Sequence, residues 1–143
     1  MKATIVPNRN AIMLSIATGM AVADKVNVLA TGVHAGDHYI NPDCRPEFFY
    51  TFSAAMRLAN DAEELLLEAP FISWTKSDIA KHGNQLGVDF TQTWSCYKGG
   101  DKHCGKCGTC VERIEAFQIA EVNDPTEYHD TSFALNTLAA LNV

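Results

Sequence analysis

Apolar residues return at Met13, Ile16, Ala17 and Met20, the spacing of an α-helix, within a run from Ala11 to Ala23 that Ser15, Thr18 and Gly19 interrupt. The run is too short and too polar to span a bilayer, and it reads as a buried helix. Ahead of it, Ile5-Val6-Pro7-Asn8-Arg9-Asn10 resembles a strand end entering a turn, with Asn8 or Asn10 placed to cap the helix. Val26 to Val33 (VNVLATGV) is β-rich and mostly apolar, as in a strand covered on both faces. After a polar loop, Arg45 to Asn60 is expected to be helical, with Pro46 in its first turn and Phe48, Phe52, Ala55, Met56 and Ala59 as one apolar stripe. Glu64 to Glu68 (ELLLE) reads as a second buried strand. A further helix is expected from Thr75 as N-cap, with Asp78 in the reciprocal position and Trp74 against Ile79 as a staple. Gly83 should weaken that helix and Gly87 should end it. Beyond Glu121 the pattern predicts an irregular tail, apart from a turn of helix within Phe133 to Leu141. Helices alternating with strands imply right-handed crossovers and an α/β architecture around a parallel sheet.

With 143 residues and 47% apolar content, the chain is expected to form one domain. A net charge of −6 and the lack of a Lys/Arg stripe argue against nonspecific binding to nucleic acid or to an anionic membrane. Thiol usage with no signal segment at the start points to a reducing cytoplasm.

The chemistry concentrates in Cys96-x7-Cys104-x2-Cys107-x2-Cys110, threaded with Gly99, Gly100, Gly105 and Gly108. Four crowded thiols on so pliable a backbone read as a metal site closed by sulfur, with tetrahedral Zn²⁺ as the default occupant and a structural role. An iron–sulfur cluster is the rival, although the x3-Cys-Pro continuation of a ferredoxin run is missing. Two disulfides are a further alternative that would leave the fifth cysteine, Cys44, over. Lys98, Lys102, Lys106 and Arg113 are placed to offset the thiolate charge. Thr109 and Glu112 have capping-box spacing, so a helix should begin there with Cys110 in its first turn and Cys110, Ile114 and Phe117 on one face. His103 is expected to be a solvated loop residue.

A second constellation fills the loop Gly32 to Arg45, directly after the first predicted strand, where open α/β sheets place ligand crevices. It holds His34, Asp37, His38, Tyr39, Asp43 and Arg45, which serve either a ligand or merely a wet surface turn. Arg9 and Asn10 could meet an anion in the same crevice or simply cap a helix. Lys76 at a helix start is either a phosphate contact or a solvated lysine. No Gly-rich phosphate loop, HExxH or G-x-S-x-G occurs.

Taken together, VPNRNAIMLSIA (6 to 17), GVHAGDHYINPDCRPEF (32 to 48), TKSDIAKHGNQLGV (75 to 88) and TWSCYKGGDKHCGKCGTCVERIEAF (93 to 117) closely resemble the C-terminal portion of the 7-cyano-7-deazaguanine synthase family of queuosine precursor biosynthesis. The likeness runs to about Tyr128, which divides the chain into a 1–128 domain and a 129–143 tail. It implies a partial PP-loop ATPase fold, of the adenine nucleotide α-hydrolase-like type, with a C-terminal four-cysteine zinc loop. The implied reaction is the ATP-dependent conversion, with Mg²⁺, of 7-carboxy-7-deazaguanine and ammonia to 7-cyano-7-deazaguanine (preQ0). It proceeds by adenylation to an amide and a second adenylation to the nitrile. By motif match, Cys96, Cys104, Cys107 and Cys110 would ligate zinc. His34, Asp37, Tyr39, Asp43 and Arg45 would line the base site, and Arg9 and Asn10 would lie near the nucleotide. The family's SGGxDS phosphate loop has no counterpart in this sequence. The resemblance therefore implies that this polypeptide alone is nearly inactive, and that a separate N-terminal half or a second copy completes it. The alternatives are a noncatalytic zinc-stapled binding module and, more remotely, a relative acting on tRNA.

Overall fold

A computed structural model describes residues 6–141; Ile5, where the expected strand end begins, lies outside the described residues. Packing groups the chain into two compact units, Met1–Trp74 and Thr75–Val143, each with its own core.

The first unit is built from α1 (Arg9–Ala23), β1 (Val28–Ala30), α2 (Pro46–Asn60) and β2 (Leu66–Glu68). β1 and β2 pair in parallel, with Val28 opposite Leu66 and Ala30 opposite Glu68, as the alternation of helices and strands predicts. The strands are shorter than their apolar runs, because after Ala30 the chain turns away into the polar loop. Leu67 is buried beside Ala21, Val33, Phe49, Leu65 and Ile72, while Val28 and Leu66 point out of the opposite face, about half exposed. A parallel sheet is ordinarily covered on both faces; here, among the described residues, helices cover one.

α1 turns the other way from its expected orientation. Met13, Ile16 and Met20 are 62%, 61% and 62% exposed, and Leu14, Thr18 and Ala21 face the core instead. Because this helix is apolar on most of its circumference, periodicity alone could not choose the inward side. In α2 the buried side centres on Phe49 and Ser53, with Phe52 and Met56 packed beside them, so the predicted stripe is rotated and leaves Ala55 and Ala59 exposed. A left-handed Asp61 ends α2.

The second unit contains α3 (Lys76–Gln85), α4 (Gly108–Ile119) and α5 (Ser132–Ala140). The α3 start is as predicted: Thr75 Oγ1 accepts from the Asp78 amide, and the Asp78 carboxylate accepts from the Thr75 amide at 2.9 Å. Gly87 follows the helix with φ +72°. α4 starts earlier than its capping-box spacing suggests. Cys107 is the N-cap, the Thr109 hydroxyl turns to the Cys107 sulfur, and Glu112 pairs with Lys76. The predicted inward face of α4 holds, since Cys110, Ile114 and Phe117 are all buried. The tail after Glu121 is irregular until α5, which seats Ala134 and Leu138 against Ile114. No helix among the described residues is long and apolar enough to cross a membrane.

Candidate metal centre and polar loop

The four cysteine sulfurs converge, all within 4.8 Å of one another. Cys96 comes from the loop after Phe90–Gln92, Cys104 and Cys107 from the glycine-rich turn, and Cys110 from the first turn of α4. Zinc–sulfur bonds of about 2.3 Å in a tetrahedron set neighbouring sulfurs about 3.8 Å apart. The separations of 3.9 Å (Cys104 to Cys110) and 3.4 Å (Cys107 to Cys110) are close to that value, so the residues present fit a four-coordinate metal ion.

Backbone amides, more than lysine charges, stabilise negative charge on these sulfurs. Cys96 Sγ accepts from the Lys98 and Cys104 amides, each at 3.4 Å, and Cys104 Sγ accepts from the Lys106 and Cys107 amides at 3.5 and 3.3 Å. Two of the expected counter-charges are engaged elsewhere. Lys102 pairs with Glu127 at 2.8 Å, and the nearly buried Arg113 pairs with Asp124. At Cys107, burial opposes ionisation, but the Thr109 hydroxyl and backbone amides outweigh it and bring the thiol to about 6. Cys110 moves the opposite way, pushed up by complete burial and by the adjacent Cys107 sulfur. For Cys96 the amide bonds outweigh burial and lower the thiol.

His103 is 4% exposed, so the expectation of a solvated loop residue is overturned. Its Nε2 accepts from the Ser95 amide at 2.9 Å, and its ring lies between Trp94 and Tyr128 at centroid distances of 4.2 and 5.6 Å. Burial, and then the Arg113 charge, hold the imidazole below its ordinary value and hence neutral. Two residues that sequence reasoning missed complete this shell. The Tyr128 hydroxyl donates to Asp124 at 2.6 Å, and Asp124 receives the Arg113 guanidinium at 2.9 to 3.2 Å. The run Asn123-Asp124-Pro125 reads as irregular tail, and no local pattern announces a partner on α4.

Beside the cluster, a cavity of about 560 Å³ is lined by Phe90, Trp94, Tyr97, Phe117 and Thr93. Lys76 is at its wall, ion-paired to Glu112 rather than solvated.

The polar loop of the first unit closes on the α1 N-terminus. Asn8 occupies the N-cap with φ 60° and makes no side-chain cap bond. Asp43 takes that role: its Oδ2 accepts from the Asn10 amide at 3.0 Å, where the helix dipole favours a carboxylate. The Asn10 side chain donates to the Asp43 carbonyl at 3.3 Å and to Cys44 Sγ at 3.1 Å. His34 Nδ1 accepts from the Gly36 amide, and His34 Nε2 lies 3.3 Å from Asp37. Arg45 Nε donates to the His38 carbonyl at 2.8 Å, and Tyr39 is 96% exposed. His38 Nε2 is buried with no hydrogen-bond partner among the described residues. Burial, then Asp37 and Asp43, push the Cys44 thiol up while Arg9 opposes, so Cys44 is a neutral core thiol. The structure thus gathers Arg9, Asn10 and Asp43 at one helix start, sets Asp37 beside His34, and leaves Tyr39 in solvent.

Residues 1–121 match the family described as "Queuosine biosynthesis protein QueC". A 7-cyano-7-deazaguanine synthase of Rhizobium meliloti (strain 1021) is 57% identical over 134 residues, covering 93% of this chain and 57% of the relative. The protein of the same name from Brucella ovis is 53% identical over 134 residues, 93% of this chain and 58% of its own length. A 7-cyano-7-deazaguanine synthase 1 of Mesorhizobium japonicum is 51% identical over 140 residues, 96% and 60% of the two lengths. The chain therefore spans somewhat more than half the length of the curated relatives it matches.

Proposed function

The chain belongs to the QueC family, and from that premise we propose that it forms the metal-bearing part of a 7-cyano-7-deazaguanine synthase. In this reading the assembled enzyme activates the carboxylate of 7-carboxy-7-deazaguanine with ATP and Mg²⁺, aminates it with ammonia, and dehydrates the amide to the nitrile after a second activation. The observation that carries the reading is 57% identity to a curated synthase across 93% of the chain.

Cys96, Cys104, Cys107 and Cys110 hold one Zn²⁺, whose closed sulfur shell fixes the loop and leaves no position for substrate. Asp37, His34, Tyr39 and Arg45 present polar groups to the base at the end of β1. Asp43 divides its carboxylate between that crevice and the α1 cap, and Arg9 and Asn10 face the nucleotide from the same helix start. The PP-loop type of sheet is part of this proposal, and so is the nucleotide segment. No SGGxDS run occurs in the 143 residues, so a segment carrying those phosphate donors is needed in addition to them for pyrophosphate to leave. The bare sheet residues Val28 and Leu66 offer that segment an apolar seat, and the outward stripe Ile12, Met13, Ile16 and Met20 is a second exposed apolar surface on the α1 side.

The purified chain, mixed with the nucleotide-binding segment of a relative, should convert 7-carboxy-7-deazaguanine, ammonia and ATP to the nitrile by mass spectrometry, and neither piece should do so alone. A mixture that binds the deazaguanine in calorimetry yet consumes no ATP would overturn the catalytic reading and leave a binding module.

A further inference from the structure

The segment after the end of the family match, Asp124 to Asp130, is tied to the sulfur cluster at several points. His103 donates its amide to the Glu127 carbonyl at 3.0 Å, and His129 donates to the His103 carbonyl at 2.8 Å, forming a short parallel bridge beside Cys104. The Tyr128 ring packs on the cysteine cluster and on His103. Its hydroxyl holds Asp124, and Asp124 holds Arg113, one turn beyond Cys110 on α4. Arg113 Nη1 donates in turn to Thr93 at 2.7 Å and reaches Ser95 at 3.4 Å, next to Cys96, while Ser95 donates its amide to His103. The chain of contacts thus runs from the flank of Cys110 to that of Cys104 and back to that of Cys96.

We propose that Asp124 to Asp130 is a clasp that governs how fast the four-sulfur site releases its metal, with Tyr128 and Asp124 as the positioning residues. This rests on the metal reading given above. The physical argument is that sulfur ligands leave one at a time, and each departure requires its backbone to swing away. Three of the four ligand flanks are joined by hydrogen bonds through Asp124 and the Glu127–His129 backbone and by the Tyr128 ring against His103, so opening any of them strains the others. Neither residue can be a ligand in a site already closed by four sulfurs; they act through His103, Arg113 and Ser95. Outer-shell partners of metal ligands contribute roughly 10–100-fold to metal retention.

The test uses the zinc-loaded full chain and the rate of zinc transfer to the chromophoric chelator 4-(2-pyridylazo)resorcinol. Tyr128→Phe keeps the ring and deletes only the hydroxyl bond; release should quicken about tenfold, and Asp124→Asn should do the same. Glu127→Ala removes the exposed Lys102 pair but keeps the carbonyl that His103 uses, so its rate should equal that of the unaltered chain. Ala80→Gly loosens α3, where Ala80 packs with Phe117 and Ala120 and not with Tyr128, and controls for general destabilisation. Equal release rates in Tyr128→Phe and the unaltered chain would overturn the clasp, as would acceleration by Ala80→Gly matching that of Tyr128→Phe at the same loss of Tm. Should Asp124→Asn fail to fold, Tyr128→Phe alone decides between these outcomes. A chain that takes up no zinc at all refutes the metal reading itself, a result distinct from bound zinc released at an unchanged rate.

Discussion

Replacing Gly105 with alanine should be the most damaging single-methyl change in the metal loop, and its cost can be separated into two parts. Gly105 has φ +73°, and a Cβ built there would lie 1.8 Å from the Asp130 carbonyl oxygen and 2.7 Å from its carbon. The left-handed conformation costs an L-residue about 1–2 kcal/mol. Because a carbon cannot sit much closer than about 3 Å to a backbone oxygen, the Asp130 peptide has to retreat by more than an ångström, pulling on the bridge at His103. Losing its two backbone hydrogen bonds costs about 1 kcal/mol each. The total is about 3–4 kcal/mol, a large fraction of the stability of a small domain. Gly99 supplies the control, since it has φ +67° but nothing within 4 Å of a new Cβ. Gly99→Ala should therefore cost only the conformational part. Urea unfolding of the zinc-loaded chain at fixed free zinc, followed through Trp94 against His103, measures both. The reasoning fails if the two variants unfold at the same midpoint.

Two further outcomes follow from titratable groups. Asp43→Asn keeps the shape but replaces a charged acceptor at the α1 N-terminus, and should lower stability by about 1 kcal/mol, read as a shift in urea midpoint without a change in slope. His103 is buried and neutral with its folded pKa below the ordinary 6.5, so the unfolded chain binds the extra proton first as pH falls. Its contribution is fully present above about pH 6.5 and is lost progressively below it. The Tm should fall between pH 7 and 5.5, and the fall should be shallower in His103→Phe; an identical slope in the two proteins contradicts the neutral assignment.

What the sequence announced was what local chemistry decides. The capping box at Thr75 and Asp78, the stop at Gly87 and the parallel pairing of two apolar runs all need only neighbours within a few residues, or the alternation of elements. The convergence of four sulfurs follows from spacing and glycine. Contacts made across long sequence separations were not legible. Asp43 caps a helix 33 residues earlier, displacing Asn8. Glu112 leaves its own capping box for Lys76, 36 residues away. His103 looks like a loop residue until Tyr128 and Trp94 close over it. Each of these is a tertiary partner overriding a sound local preference.

The outward face of α1 and the bare face of the sheet bear on the segment proposed above. Ile12, Met13, Ile16 and Met20 are each 55–62% exposed, and Val28 and Leu66 are about half exposed. Covering the remaining surface of such side chains yields about 1 kcal/mol or somewhat more for each, so about 4–6 kcal/mol for the four on α1 and about 2–3 kcal/mol for Val28 and Leu66, which point from the other face of the sheet. Association costs an estimated 4–15 kcal/mol in lost freedom. Two copies packed through α1 would cover the helix stripe twice, about 8–12 kcal/mol, which falls within that cost, so side-chain burial there leaves such a pairing near balance. A segment that adds a strand to the sheet, two-stranded among the described residues, gains backbone hydrogen bonds along its length, at about 1 kcal/mol each, beyond the burial of Val28 and Leu66. The surface thus favours an occupant that continues the parallel sheet and covers its bare face together. A sheet-forming segment such as the one proposed above has both properties, whereas an isolated helix brings no strand.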